Sequence, residues 1–330
     1  MPIRVAAIEV NHWHSLYDAA YLRHLYSMPD VQLVALQDPS PALVAKRAAA
    51  VGNPPIFTDY RHMLAETKPD FVLALGRHSV MAEIAHYLLD HGYPFLMEKP
   101  MGSNATQVRS IADKATAVKG FAAVSLPQRY GPFVTQAQQM LAAGQFGPLS
   151  HLYFRLNRPT SARYPAWDAP WMLDPTIAGG GCVRNLGPHA FDLFVYLTGE
   201  DAKVTAAQLS WRALGQRVED YATVLVRSAQ GILGTIEVGN TFPGHGTDGE
   251  WKIAGRDAIL TLKDSVIRRM TAQGETTMSG ETPEPLYVTA LRDTLQRWQR
   301  GEPPCTSVHD CYRAVQLIDQ AYDLAGRPYG

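Results

Sequence analysis

Two residues of this chain have the type and the placement to move a proton, Lys99 and His189, and Asn185 is placed to orient them. Lys99 stands between Glu98 and Pro100 in "FLMEKP", where an apolar run ends. Burial readily lowers a lysine pKa, so an ammonium at a strand end in a cleft is a proton donor or carbonyl polariser. The same tripeptide also suits a surface lysine after a strand. "AGGGCVRNLGPHAFD" spans 178–192. Its glycines let a backbone turn sharply and approach another closely. Asn185 and His189 follow four residues apart, at the entrance to a helix expected to open on Pro188. His189 then falls in the first turn, as a base, an acid or a cap, at a helix end that favours anions. Asp38 closes "VQLVALQD". An acid there accepts hydrogen bonds from a ribose diol and repels a 2′-phosphate, or it serves the next turn as a cap. "HWH" at 12–14 invites a metal. A His-x-His pair needs a third ligand, and the sequence places none nearby, so no metal site is expected. Cys305 and Cys311 do not have the spacing of a metal site either.

The elements that must hold these residues alternate at first. Apolar strand-like runs at 3–10, 31–38, 69–76, 93–100 and 121–126, with a short one at "PIFTDY", are separated by helical patterns at 41–51, 80–92 and 104–118. The first run is followed directly by a helix to about Ser27, and Asp59 is placed to cap a helix carrying Met63 and Leu64. Near-continuous apolar strands between helices mean a parallel sheet covered on both faces, and right-handed crossovers lead to a doubly wound, Rossmann-type order. Ligands then bind beyond the carboxyl ends of the strands, at "EVNHWH", "QDPS", "LGRHS" and "MEKP". After Pro127 the pattern changes to a helix at 131–143, strand-like segments at 149–157, 203–212, 219–228, 231–239, 250–255 and 258–263, and helices at 188–198, 284–300 and 308–325. Their alternation predicts an α+β domain on a large open, mainly antiparallel sheet. The expected division is 1–127 for the α/β Rossmann domain and 128–330 for the second domain.

The 330 residues carry a net charge of −1 with no basic or acidic block, which argues against nucleic acid or an anionic membrane as partner. No apolar run is long enough to span a bilayer. The chain runs from Met1 straight into a strand without a signal-peptide pattern. Three cysteines form no framework, so a cytoplasmic setting is expected. "GHGTDG" at 244–249 matches G-x-G-x-x-G by letter, but it precedes a strand outside any βαβ unit and is rejected.

"MEKP" together with "GGG…NLGPHxxD" resembles the Gfo/Idh/MocA family of sugar oxidoreductases, and the likeness covers nearly the whole chain. "QRYGPFVTQAQQMLAAGQFGPLSHLYF" looks like its domain-crossing segment and "GEPPCTSVHDCYRAVQLIDQAYDLA" like its terminal helix pair. The resemblance implies hydride transfer between NAD, less readily NADP, and a hydroxyl carbon of a sugar or polyol. It implies a homodimer or homotetramer formed through the second domain's sheet. Lys99 matches the catalytic lysine and His189 the histidine that exchanges the hydroxyl proton. Asn185 stands where the family has an aspartate and is left to orient substrate or histidine, since it cannot raise the histidine pKa as a carboxylate does.

The cofactor half departs from the family. Its G-x-G-x-x-G maps onto Glu9, Asn11 and His14, and its next phosphate-side segment onto Gly76, Arg77 and His78. Asn11 can visit the left-handed region, so the turn is expected to survive there. Glu9 would repel a pyrophosphate unless Arg77 pairs with it or meets the phosphates itself. With His12, Trp13, Asp38, Glu98 and Pro100, these form the expected cofactor wall. Trp13 is placed to stack on nicotinamide or a sugar face, or to pack on the sheet. Arg129, Arg158, Tyr164, Trp167, Trp171 and Arg184 are assigned to the substrate cleft, alongside the reading that half of them are ordinary surface. Two further readings stay open: a relative that cleaves glycosides by transient oxidation, and a non-catalytic binding protein of the same fold.

Overall fold

A computed structural model of the chain describes residues 1–326. The alternating half forms β1 (Ile3–Ile8), α1 (Tyr21–Ser27), β2 (Val31–Gln37), α2 (Pro41–Ala49), β3 (Ile56–Phe57), α3 (Tyr60–Thr67), β4 (Phe71–Ala74), α4 (His78–Asp90), β5 (Phe95–Met97), α5 (Ala105–Val118) and β6 (Ala122–Val124). These strands pair in parallel in the order β3-β2-β1-β4-β5-β6, the doubly wound arrangement. The order reverses between β1 and β4, so the ends of those two strands and of β5 face a common crevice. Local signals set the helix starts: Ser40, Asp59 and Asn104 each accept a hydrogen bond from an amide of the following turn.

One element departs from its pattern. The helix expected directly after β1 is only α1, and residues 9–20 run irregularly with a single 3-10 turn at Trp13–Ser15. Glu9, Asp18 and Ala20 all take positive φ (55°, 51° and 45°), which breaks any helix between them. The left-handed residue at the turn is thus Glu9, not Asn11.

The second half continues as α6 (Pro132–Ala142), β7 (Leu149–Pro159), α7 (Arg163–Ala166), α8 (Pro175–Ala178), α9 (Cys182–Thr198), β8 (Ala202–Ser210), β9 (Tyr221–Ser228), β10 (Leu233–Phe242), β11 (Asp248–Gly255), β12 (Ala258–Lys263), β13 (Val266–Thr271), β14 (Gly274–Ser279), α10 (Leu286–Gln299) and α11 (Val308–Ala325). The eight strands follow the order β14-β13-β12-β11-β7-β10-β9-β8, and only the β7–β10 pair is parallel. The strands β13 and β14 had no sequence signal. Every residue of β14 is exposed, so no apolar alternation marks it. "GHGTDG" lies at the β10–β11 turn, clear of the parallel sheet.

Helix α9 covers the inner face of this sheet through Phe191, Phe194 and Val195, packed with Val224, Val226, Ile236 and Val238. The last two helices return to the first domain. Val288, Leu291 and Leu295 of α10 join the core of Val5, Ala7 and Leu22, and Val308, Cys311 and Val315 of α11 join that of β5 and α5.

Helix α9 starts six residues before Pro188, at Cys182, so the proline lies inside it. A distant carboxylate supplies the cap. Glu219 Oε2 accepts from the Gly181 amide at 2.8 Å, Oε1 accepts from the Val183 amide at 3.0 Å, and Tyr322 donates to Oε1 at 2.7 Å. The approach requires glycine, because a Cβ at Gly181 would stand 2.3 Å from the Glu219 carbonyl oxygen. Glu219→Ala should therefore lower stability by about 2–3 kcal/mol, the worth of a lost cap and of buried donors left unpaired. Urea denaturation measures it; a change below about 0.5 kcal/mol, the size of ordinary surface effects, would mean that the cap is unimportant.

Candidate active site

Where the strand ends of the first sheet meet the start of α9 there is a partly enclosed cavity of about 270 Å³. Lys99, Asn185 and His189 all line it, with Trp13, His14 and Arg158. Three sequence expectations thus converge on one cavity, from β5, from α9 and from the loop after β1. Asp18, Gln128, Arg163 and Tyr287 also line it. None of the four was assigned to the site from the sequence, and each arrives from a separate loop, 3-10 turn or helix.

Lys99 follows β5 and is buried. Its Nζ donates to the Asn185 carbonyl oxygen at 2.9 Å and to Asn185 Oδ1 at 2.5 Å. An ammonium has three hydrogens, so one remains for a ligand in the cavity. Burial pulls the Lys99 pKa down to about 8, against the nearby Glu98 carboxylate, which raises it. Asn185 in turn donates through Nδ2 to the Tyr164 hydroxyl at 2.7 Å. Asn185 therefore orients the lysine and not the histidine. Burial, then the Lys99 charge, hold His189 well below the usual histidine range, so it is neutral at pH 7. Its Nδ1 is buried with no partner. The site pairs a neutral imidazole with an ammonium poised near neutrality.

The loop after β1 is closed on itself. Arg77 grips Glu9 with Nε–Oε2 3.0 Å and Nη2–Oε1 3.1 Å, the first of the two arrangements expected for it. Asp38 Oδ2 accepts from the Asn11 amide at 2.9 Å and from Asn11 Nδ2 at 2.8 Å, while Oδ1 accepts from the Ser40 amide. Asp38 thus serves a turn here, the second of its two readings. The amides of His12, His14 and Ser15 also donate within the loop. His12 stacks on Trp13 with ring centroids 3.9 Å apart, both buried. His78 donates through Nδ1 to the Ala178 carbonyl at 2.7 Å, and burial pulls its pKa to about 3.

As folded, this loop does not fit a dinucleotide. A pyrophosphate needs free amides and close backbone approach, and here the amides are engaged and the approach is filled by rings. The cavity is smaller than the ~300 Å³ at which drug-sized sites begin. Binding there requires residues 9–20 to open, with Asn11 leaving Asp38. Gly76 takes φ 44°, with Met81 Cγ 3.0 Å from where a Cβ would stand, and Pro100 follows Lys99 through a cis peptide. Glu98 points not to a cofactor position but to the histidines: its Oε1 lies 2.8 Å from His14 Nδ1.

Four residues assigned to the substrate cleft lie elsewhere. Arg129 is bound by Asp192 (2.9 Å and 2.5 Å) and Asp310 (2.8 Å) and sits over Tyr196, because a buried guanidinium needs carboxylate partners. Arg184 pairs with Asp319 at 2.6 Å over Tyr322. Trp167 stacks on Tyr17, and Trp171 packs edge-on to His78 beside Trp13. Tyr164 lies behind the wall as the partner of Asn185. Arg158 reaches the cavity, tied to Asp18 at 2.9 Å.

The chain matches two protein families along its length. Residues 14–125 match the oxidoreductase family with an NAD-binding Rossmann fold, and residues 134–261 match the GFO/IDH/MocA C-terminal domain. D-glucoside 3-dehydrogenase of Escherichia coli is 24% identical over 246 residues, covering 72% of this chain and 68% of that protein. Levoglucosan dehydrogenase of Pseudarthrobacter phenanthrenivorans is 24% identical over 268 residues, with the same coverage of each. An oxidoreductase from Agrobacterium radiobacter, solved with NAD+, L-tartaric acid and magnesium, superposes with a TM-score of 0.86 at 14% identity, over 99% of this chain and 97% of that one. The strand order, the shared cavity and both domain matches agree: the chain belongs to the Gfo/Idh/MocA family of oxidoreductases, with an NAD-binding Rossmann domain at its N-terminal side.

Proposed function

We propose that this chain interconverts a hydroxyl carbon of a sugar or polyol with its carbonyl; NAD, admitted once residues 9–20 open, would supply the hydride chemistry. The observation that carries the reading is the Lys99 ammonium, held on Asn185 in the wall of a cavity that also contains neutral His189. His189 accepts the hydroxyl proton. Lys99 turns its remaining N–H to the same oxygen and stabilises the charge that develops there. Trp13 offers an apolar face for sugar C–H groups, and Asp18, Gln128 and Arg158 offer partners for hydroxyls. Curated relatives named as glucoside and levoglucosan dehydrogenases support the substrate class. Asp38 at the end of β2 supports NAD over NADP, since its carboxylate repels a 2′-phosphate. The exposed Leu225 and Leu233 on the open sheet support association of like chains through that face. No helix among the described residues is long and apolar enough to cross a membrane. The closed loop favours a second reading, a non-catalytic binding protein of the same fold.

A panel of sugars and polyols with NAD, followed by NADH absorbance, tests the first reading. No binding of NAD or NADP at millimolar concentration would leave only the second. Arg77→Ala should weaken NAD at least tenfold by calorimetry, because it leaves the Glu9 carboxylate unpaired beside the phosphate position; unchanged affinity would remove Arg77 from the cofactor site. With chelator present, sugar oxidation should fall as pH rises through about 8, as the Lys99 ammonium is lost. Lys99→Met should be slower by roughly 100-fold or more and lose this limb. Activity that rises through pH 8 would instead make neutral Lys99 the base.

A further inference from the structure

Beside the cavity, the structure gathers side chains that the proton chemistry does not use. His12 and His14, in and before the 3-10 turn, meet Glu98 from the end of β5, and one ligand-type atom from each lies within 4.8 Å of the others. All three residues are buried. The third ligand absent from the sequence pattern is therefore Glu98, brought 84 positions along the chain to His14 by the parallel sheet.

The cluster is under-partnered. Glu98 Oε2 and His12 Nε2 are both buried and without a hydrogen-bond partner. His12 Nδ1 accepts from the His14 amide at 3.1 Å, which leaves the ring proton on Nε2 with nothing to receive it. Nearby, His78 gives its Nδ1 proton to Ala178, so its own Nε2 is a bare lone pair, again buried and unpaired. Such groups are costly in a protein interior.

We propose that His12, His14 and Glu98 form a binding site for a first-row divalent cation of the zinc type, on the wall of the substrate cavity. Two imidazoles and one carboxylate suit such an ion and leave positions open, as catalytic sites do. Coordination through one nitrogen of His12 puts its single proton on the other. The three ligand atoms, up to 4.8 Å apart, draw in to the ~3.3 Å spacing of tetrahedral ligands, while the 2.8 Å contact between His14 and Glu98 opens to it. His14 lines the cavity, so an open position of the ion faces a ligand bound there. The proposal does not rest on the nicotinamide reading.

The test uses the full chain, stripped with chelator and returned to Zn²⁺ or Co²⁺. One equivalent of metal should remain after desalting, by elemental analysis. The Co²⁺ form should show visible d–d bands of a four- or five-coordinate ion. Glu98→Gln keeps the shape of the side chain, and should lose the bands and weaken metal binding by roughly 100-fold or more; His12→Ala should do the same, while exposed His62→Ala should not. Thermal melting checks that each variant is folded. Less than about 0.1 equivalent on the parent chain, or equal metal on the folded Glu98→Gln variant, overturns the proposal. NAD titration of the metal-free chain reads the nicotinamide reading separately.

Discussion

The contact between Lys99 and Asn185 is the constraint on which the site depends. It joins the end of a strand in one domain to the first turn of a helix in the other, with both acceptors on one residue. An amide in place of a carboxylate changes the balance. A carboxylate would hold the lysine charged and raise the histidine. The amide orients the lysine and leaves its charge free to act in the cavity, and burial, with the lysine charge beside it, keeps His189 neutral. In the proposed reaction the proton-accepting and charge-stabilising roles thus fall to two residues.

That geometry has its own supports. Helix α9 can present Asn185 in its first turn only because its free amides are capped by Glu219, which reaches in from the loop before β9 and is fastened by Tyr322 of α11. The buried ion pairs of Arg129 with Asp192 and Asp310, and of Arg184 with Asp319, tie α9 to the chain's final helix. Residues that look like sugar-binding arginines serve here to hold the two domains in register.

In the loop after β1, residues other than glycine occupy the turn. Glu9 takes the left-handed φ that a glycine would take, and its carboxylate is neutralised by Arg77. The side chains that now fill the turn satisfy the amides and the β2 aspartate internally. The loop supplies its own acceptors, and it brings two imidazoles against a carboxylate.

Much of this protein was legible in its sequence, and for definite reasons. Apolar runs with no polar alternation marked the parallel strands, and the position of Lys99 came from a strand end; His189, expected in the first turn of its helix, is the eighth residue of α9 because that helix starts at Cys182. The pairing of Glu9 with Arg77 came from the adjacency of β1 and β4. Other features had no local signature. The start of α9 depends on a carboxylate 37 residues beyond Cys182; β14 carries no apolar face; Arg129, Arg184, Trp167 and Trp171 have the composition of a sugar site but spend it on partners elsewhere. Residue type and period determine which elements form and which chemistry is available. Which side chains share a cavity, and which are consumed by a distant partner, is decided only when the chain packs, because a buried charge or amide takes whatever partner the fold brings within reach.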